Sequence, residues 1–232
     1  MTGCSPRLLT SMQFQGDQTS LSGAASRFIA AGGTLANLAA AAAAITLLHR
    51  RRSDDTPLRF FLWLFATVNL LQGTGYLLFS GLGNVGDWSA VVRGWAPHWL
   101  WRVTLAAVGG IAYYGAAYWA MRQLATWLRG SGGARVREAY RYTLTAYATG
   151  ALLYVTAGLL DPNGPIMVLL SGVSASLGGT SALLWGPQLL DNPLVGAGEG
   201  SVPPVPRDWR WIVAATATIA LFVFVLGPGV TL

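Results

Sequence analysis

Few side chains in this chain could do chemistry. Two histidines, His49 and His98, one cysteine, Cys4, and nine acidic residues are spread over 232 positions. A metal centre needs three or four such groups converging on one point. A lone cysteine excludes an internal disulfide and any cysteine-based cluster. No Gly-x-Ser-x-Gly turn, phosphate loop or dinucleotide fingerprint occurs, and Gly81-Leu82-Gly83 is too short to cradle a phosphate. What remains is a set of neutral amides, Asn37, Asn69 and Gln72, each inside a long apolar stretch. Such groups hydrogen-bond; they do not carry acid–base or redox chemistry.

The elements that hold these residues can be read from where charge is missing. Charged residues make up 10% of the chain and hydrophobic ones 53%. A soluble domain carries about 25% charged residues, so the composition argues against a soluble enzyme. Six stretches lack Asp, Glu, Arg and His and approach bilayer length: 28–48, 60–82, 103–121, 142–160, 166–190 and 211–232. The expectation is an all-α, polytopic membrane protein with six spans in one bundle, preceded by a polar segment, 1–27. That segment has no charged start followed by an apolar run, so it does not read as a cleavable signal.

All fifteen basic residues are arginine and none is lysine, which we read as a GC-rich, bacterial coding bias. Eleven of them lie in the first, third and fifth connections, including Arg50–Arg52, Arg59, Arg122, Arg129, Arg135, Arg137 and Arg141. Under the positive-inside rule these connections face the cytoplasm and both chain ends lie outside, in a bacterial inner membrane. The basic balance is then a topology signal beside anionic headgroups, and nucleic acid is not an expected partner. His49 and His98 fall on opposite membrane faces, roughly 30 Å apart, and cannot share one ion in a monomer.

The second connection is rich in tryptophan, with Trp88, Trp95, Trp99 and Trp101, and reads as an interfacial aromatic belt. Asp161-Pro162-Asn163-Gly164 reads as a tight turn between the fourth and fifth spans. The fifth connection, with four prolines and three glycines across 191–208, reads as a loop. Alternation at Leu9, Ser11 and Gln13 with Gly16-Asp17 suggests a short hairpin in 8–18. Asn37, Asn69 and Gln72 must face other helices, because an amide turned to lipid has no partner. The pairs Gly172/Ser176 and Ser174/Gly178 would let helices approach closely. Without ionisable groups inside the spans, a proton-coupled pump is disfavoured, while a facilitator for a neutral solute fits.

One stretch resembles a known family. Ala31-Gly32-Gly33-Thr34-Leu35-Ala36-Asn37-Leu38 is similar to the Ala-Gly-Pro-x-x-Asn-Leu stretch of the site-2 proteases, which are intramembrane zinc metallopeptidases. Asn69-Leu70-Leu71-Gln72 is similar to their later Asn-Leu-Leu-Pro, and Asp87, in Gly86-Asp87-Trp88, follows where the family has a zinc-binding acid. The resemblance spans about residues 28–90. Thr34 and Gln72 replace prolines, Asp87 lies 18 residues after Asn69, and His-Glu-x-x-His is absent. That motif supplies two imidazoles and the general base for metal-bound water. The resemblance therefore implies a metallopeptidase-like membrane scaffold without catalytic residues or zinc as written. Asp87 would be a vestigial ligand candidate, or simply a polar residue at a span end. Two explanations fit: a catalytic helix encoded upstream, which alone would bring zinc, or a non-catalytic relative. The alternative function is a non-enzymatic scaffold or neutral-solute facilitator. The partners expected are the lipid bilayer and another membrane protein or a second copy.

Overall fold

The computed structural model describes residues 5–11, 13–17, 22–50, 57–129, 132–162, 177–192, 195 and 208–232. The protein is mostly helical. Four long helices carry the architecture: α1 (Gly23–Arg50), α2 (Pro57–Gly83), α4 (His98–Ala125) and α5 (Gly132–Leu159), with a short α3 (Asp87–Val91) between α2 and α4. Among the described residues, α1 and α2 are long and apolar enough to cross a membrane, with mean hydropathies of 1.7 and 1.3 over their most apolar windows.

α1, α2 and α4 extend beyond both ends of the uncharged stretches that foretold them, and α5 begins well before its own. Flanking charges are tolerated because the last turns need caps, not lipid. α2 stops at Gly83 because Asn84 takes a left-handed conformation (φ 54°) while its N–H reaches the Ser80 carbonyl. Arg102, on α4, then donates to the Gly81 and Leu82 carbonyls at 3.3 and 2.8 Å. Buried Arg135 does the same for α4, donating to the Ala125 carbonyl at 2.7 Å. Thus Arg135, Arg137 and Arg141 sit on the first turns of α5, where a connection running to 141 was expected.

Two expected spans need correction. Residues 182–191 of the fifth are broken into α6 (Ala182–Trp185) and a 3-10 turn (Gly186–Asp191) with Pro187 near its start. Proline removes a donor and blocks continuation of the α-helix. Residues 166–176 of that stretch, including Gly172, Ser174 and Ser176, lie outside the described residues, as do Cys4, Asn163 and Gly164. The sixth runs only over α7 (Trp209–Ala220), capped by the Asp208 side chain on Arg210 N–H, and a π-helical turn (Leu221–Val225). Its last residues leave the helix at Gly227-Pro228-Gly229 and form a strand.

That strand, β3 (Val230–Thr231), joins a small antiparallel sheet of order β2-β1-β3 with β1 (Ser5–Leu9) and β2 (Phe14–Asp17). The expected hairpin is present, but it turns at residues 10–13, and Gly16-Asp17 lie in β2. Leu8 pairs with Thr231, so the first and last described segments meet at one end of the molecule.

The core follows the α2–α4 seam. Buried positions on α4, from Leu105 and Gly109 through Tyr113, Ala117, Ala120 and Leu124, recur three or four apart and form one face. One cluster surrounds Trp63, Met121, Leu124 and Leu128; a second surrounds Leu71, Ala117 and Leu183. The outward faces are strongly apolar: Phe28, Ile111, Leu152, Val213 and Phe224 are all more than 60% exposed. None of the residues of α7 is buried.

Candidate functional site

The three amides singled out in the sequence converge. Gly73 lets α1 cross α2 closely: a Cβ there would lie 3.1 Å from Leu38 and 3.6 Å from Asn37. This crossing brings Asn37 to the face of α2 that carries Asn69 and Gln72. All three line one cavity of about 420 Å³, with Phe61, Phe65 and Tyr154. Asn69 donates to the Phe65 carbonyl one turn back at 2.8 Å, which leaves its side-chain oxygen as an acceptor. A polar solute would meet amide donors and acceptors here, framed by aromatic rings.

A second cavity, of about 220 Å³, is lined by Gly75, Tyr76, Phe79, Leu82, Tyr113 and Ser181. Tyr113 organises it. Its hydroxyl lies 3.1 Å from Ser181 Oγ and accepts from the Ala182 N–H at 2.9 Å. Tyr147, from α5, donates to the Leu177 carbonyl at 3.4 Å. Two tyrosines therefore hold 177–182 against α2, close enough that a Cβ on Gly75 would lie 3.2 Å from Gly179 Cα. Gln72 Oε1 occupies the place a Cβ on Gly179 would take. Sequence reasoning missed Tyr76, Tyr113, Tyr147 and Ser181. Their only signal was a polar tip inside an apolar stretch, which many core tyrosines share.

Asp87 opens α3, and its carboxylate turns to Tyr76. The Tyr76 hydroxyl donates to the carboxylate and also meets the Asp87 N–H. Gly86 permits this: its φ is +80°, and a Cβ would lie 2.8 Å from the Tyr76 oxygen. Trp88 donates to Thr34 Oγ1 at 2.8 Å, tying α3 to α1, so it packs between helices. Crowding around the carboxyl pushes the Asp87 pKa up, and the hydrogen bond from Tyr76 offsets part of this. The residue as a whole is exposed, so the effect on stability is small. Its sign is definite. The folded chain keeps the Asp87 proton to higher pH than the unfolded chain. Asp87's contribution to stability is unchanged below the ordinary value of 3.8 and falls as pH rises through the raised one. Asp87→Asn is expected to flatten that fall in thermal unfolding scans taken across the acid range in detergent. An unchanged pH profile would contradict it.

No protein-family model, curated protein or solved structure matches this chain.

The described residues do not fit a catalytic zinc ion. His49 closes α1, its Nδ1 donates to the Ile45 carbonyl at 2.7 Å, and it lines a pocket with Arg59 and Gln123. His98 opens α4 at the other end of the bundle and meets Asn84 Oδ1 at 3.0 Å. Asp87 is engaged by Tyr76. Among the described residues no three His, Cys, Asp or Glu side chains are grouped as a metal requires.

The described arginines also sort by end. His49 and Arg50 close α1, Arg59 opens α2, Arg122 closes α4 and Arg135 opens α5. Trp211 packs on Phe61 at 5.4 Å, bringing the start of α7, with Arg210, to this same end. At the opposite end Arg27 donates to the Arg93 carbonyl at 3.1 Å and stacks over Trp95 at 5.5 Å, while Arg102 caps α2. Arg27 and Arg102, away from the basic end, thus have structural partners.

Proposed function

We propose that this chain is a six-span inner-membrane protein whose bundle holds a small neutral, hydrogen-bonding solute at Asn37, Asn69 and Gln72. The convergence of these amides on one cavity carries the reading. Amides inside an apolar bundle are expensive unless they are partnered, so a cavity that gathers three has room for a polar guest. The exposed apolar faces of α1, α4, α5 and α7 support the membrane setting, since patches of that extent are not tolerated in water. The clustering of arginine at one end supports a cytoplasmic orientation for that end. Pairing of β1 with β3 in one sheet agrees with an even number of crossings between them.

Glycerol and urea are suitable probes. Vesicles containing the purified protein should pass them faster than protein-free vesicles, and Asn69→Leu should lower that flux. Equal rates with and without protein would refute the reading.

A second reading, a non-catalytic relative of the site-2 proteases, is favoured by one observation. The two segments that carry the resemblance pack together, with Asn37 and Leu38 against Gly73. As a non-catalytic relative the chain binds no zinc; under the separate explanation, a catalytic helix encoded upstream, the in-frame DNA before Met1 should encode His-Glu-x-x-His. Stoichiometric zinc bound through Asp87 in the purified chain would contradict its non-catalytic form.

A further inference from the structure

The two cavities lie on one face of α2. Phe61, Val68, Gln72, Gly75, Phe79 and Leu82 recur three, four or seven apart, and each lines one cavity or the other. The amide cavity covers the half of α2 nearest the basic end; the tyrosine cavity covers the other half. Phe61 to Leu82 is 21 residues, about 32 Å of helix, close to the roughly 30 Å of a bilayer core. The junction between the cavities falls at Gln72 and Gly179. Gln72 lines the first cavity, Gly179 lines the second, and the Gln72 amide rests on the Gly179 backbone.

We infer that the two cavities are halves of one solute path along α2, and that Gln72 resting on Gly179 is its gate. The inference rests on the solute reading above and adds to it a route and a residue that controls passage. The chemistry suits a gate. A glutamine side chain has three rotatable bonds and a neutral amide at its tip, so it swings aside without moving a charge through the bundle. Gly179 leaves the amide room to lie across the path. The wall behind it is firm, because Tyr113 and Tyr147 hold 177–182 by side-chain hydrogen bonds. The path is neutral along its described length, so it admits uncharged polar solutes and opposes ions.

The test uses full-length protein in vesicles, with glycerol and urea as probes. Gln72→Ala should raise flux by about three- to tenfold, the factor gained by taking about 1 kcal/mol off the barrier, even though it deletes a polar group from the cavity. Gly179→Ala, whose Cβ would take the place of Gln72 Oε1, should raise flux when Gln72 is present and have no effect in the Gln72→Ala background. Its added Cβ meets the flexible end of Gln72, so the variant should fold. Flux that depends on Asn69 but ignores both Gln72→Ala and Gly179→Ala would overturn the gate and leave the solute site standing. The same holds if Gly179→Ala acts equally with and without Gln72. No flux above protein-free vesicles in any variant would overturn the gate and the solute reading together.

Discussion

Gly109→Leu should prevent α2 and α4 from closing on each other, and Gly109→Ala should already weaken the bundle. A Cβ at Gly109 would run into the backbone nitrogen of Leu78, with Leu78 Cα at 2.8 Å and the Leu77 carbonyl carbon at 2.9 Å. These are backbone atoms in the middle of a helix, so they cannot rotate away as a side-chain tip would. The helices must separate, and every contact along the seam loosens. Overpacking of a tight core costs about 1–3 kcal/mol, and occasionally more. Alanine should fall near the upper part of that range and leucine beyond it. Gly81 is the matching position on α2, where a Cβ would lie 2.7 Å from the Arg102 carbonyl oxygen and 2.9 Å from Ala106 Cα. In a bilayer, helices associate through close packing because lipid removes the hydrophobic drive. The expected readout is a large loss of folded, monodisperse protein after extraction, with a lowered Tm for the alanine variant. A Gly109→Leu protein with wild-type Tm would show that the seam is not what holds the bundle.

Trp63→Ala should cost about 3–5 kcal/mol, the range for emptying a buried aromatic site. Trp63 is fully buried in the lower core, where α2 meets α4. Its ring sits 5.4 Å from Phe60 and edge-on to Trp127 at 5.7 Å, and its N–H donates to the Ala120 carbonyl at 2.9 Å. Arg59 stacks over the same Trp127 at 5.3 Å. Removing Trp63 leaves a hole bounded by helices that cannot collapse without breaking this aromatic group. It also removes the hydrogen bond that fixes the registry of α2 on α4. Trp63→Phe keeps one aromatic ring and loses the N–H with part of the indole volume, so it should cost less, about 1–2 kcal/mol. Denaturation in detergent, followed by tryptophan fluorescence and helicity, measures both. Equal losses in the alanine and phenylalanine variants would show that the hydrogen bond, and not the packed ring, is what Trp63 chiefly contributes.

Both predictions bear on function, because the seam they disturb also positions the cavities. Gly109 and Gly81 set the spacing of α2 from α4, and Tyr113 reaches from α4 to anchor 177–182. A variant that loosens the seam should lose solute flux together with stability. Variants at Gln72 and Gly179 should change flux alone. That separation distinguishes an effect on the path from an effect on the fold.

The helical class and the long helices were legible in the sequence, because each long helix contains an uncharged run and a covalent run is a local property. The interior amides were legible too, since Asn37, Asn69 and Gln72 are anomalies against an apolar background, and an anomaly of that kind must find a partner. The breaks were less so. Pro187 marks the end of α6 only once the segment is seen to turn, and Gly227-Pro228-Gly229 had to be paired with residues 5–9 before a strand could form. Hydropathy over a window averages out such points.

By itself, then, the sequence determined where charge is absent, which residues form the long helices, and which neutral polar groups lie inside them. These follow from residue type and order alone. Tertiary structure decided which of those groups share a cavity, that Asp87 turns to Tyr76 and not to a histidine, and that Gln72 lies across Gly179. Each of these depends on how two segments distant in the chain approach one another. Their approach is set by side-chain contact at Gly73, by backbone contact at Gly81 and Gly109 and by hydrogen bonds from Tyr113, which no single segment encodes.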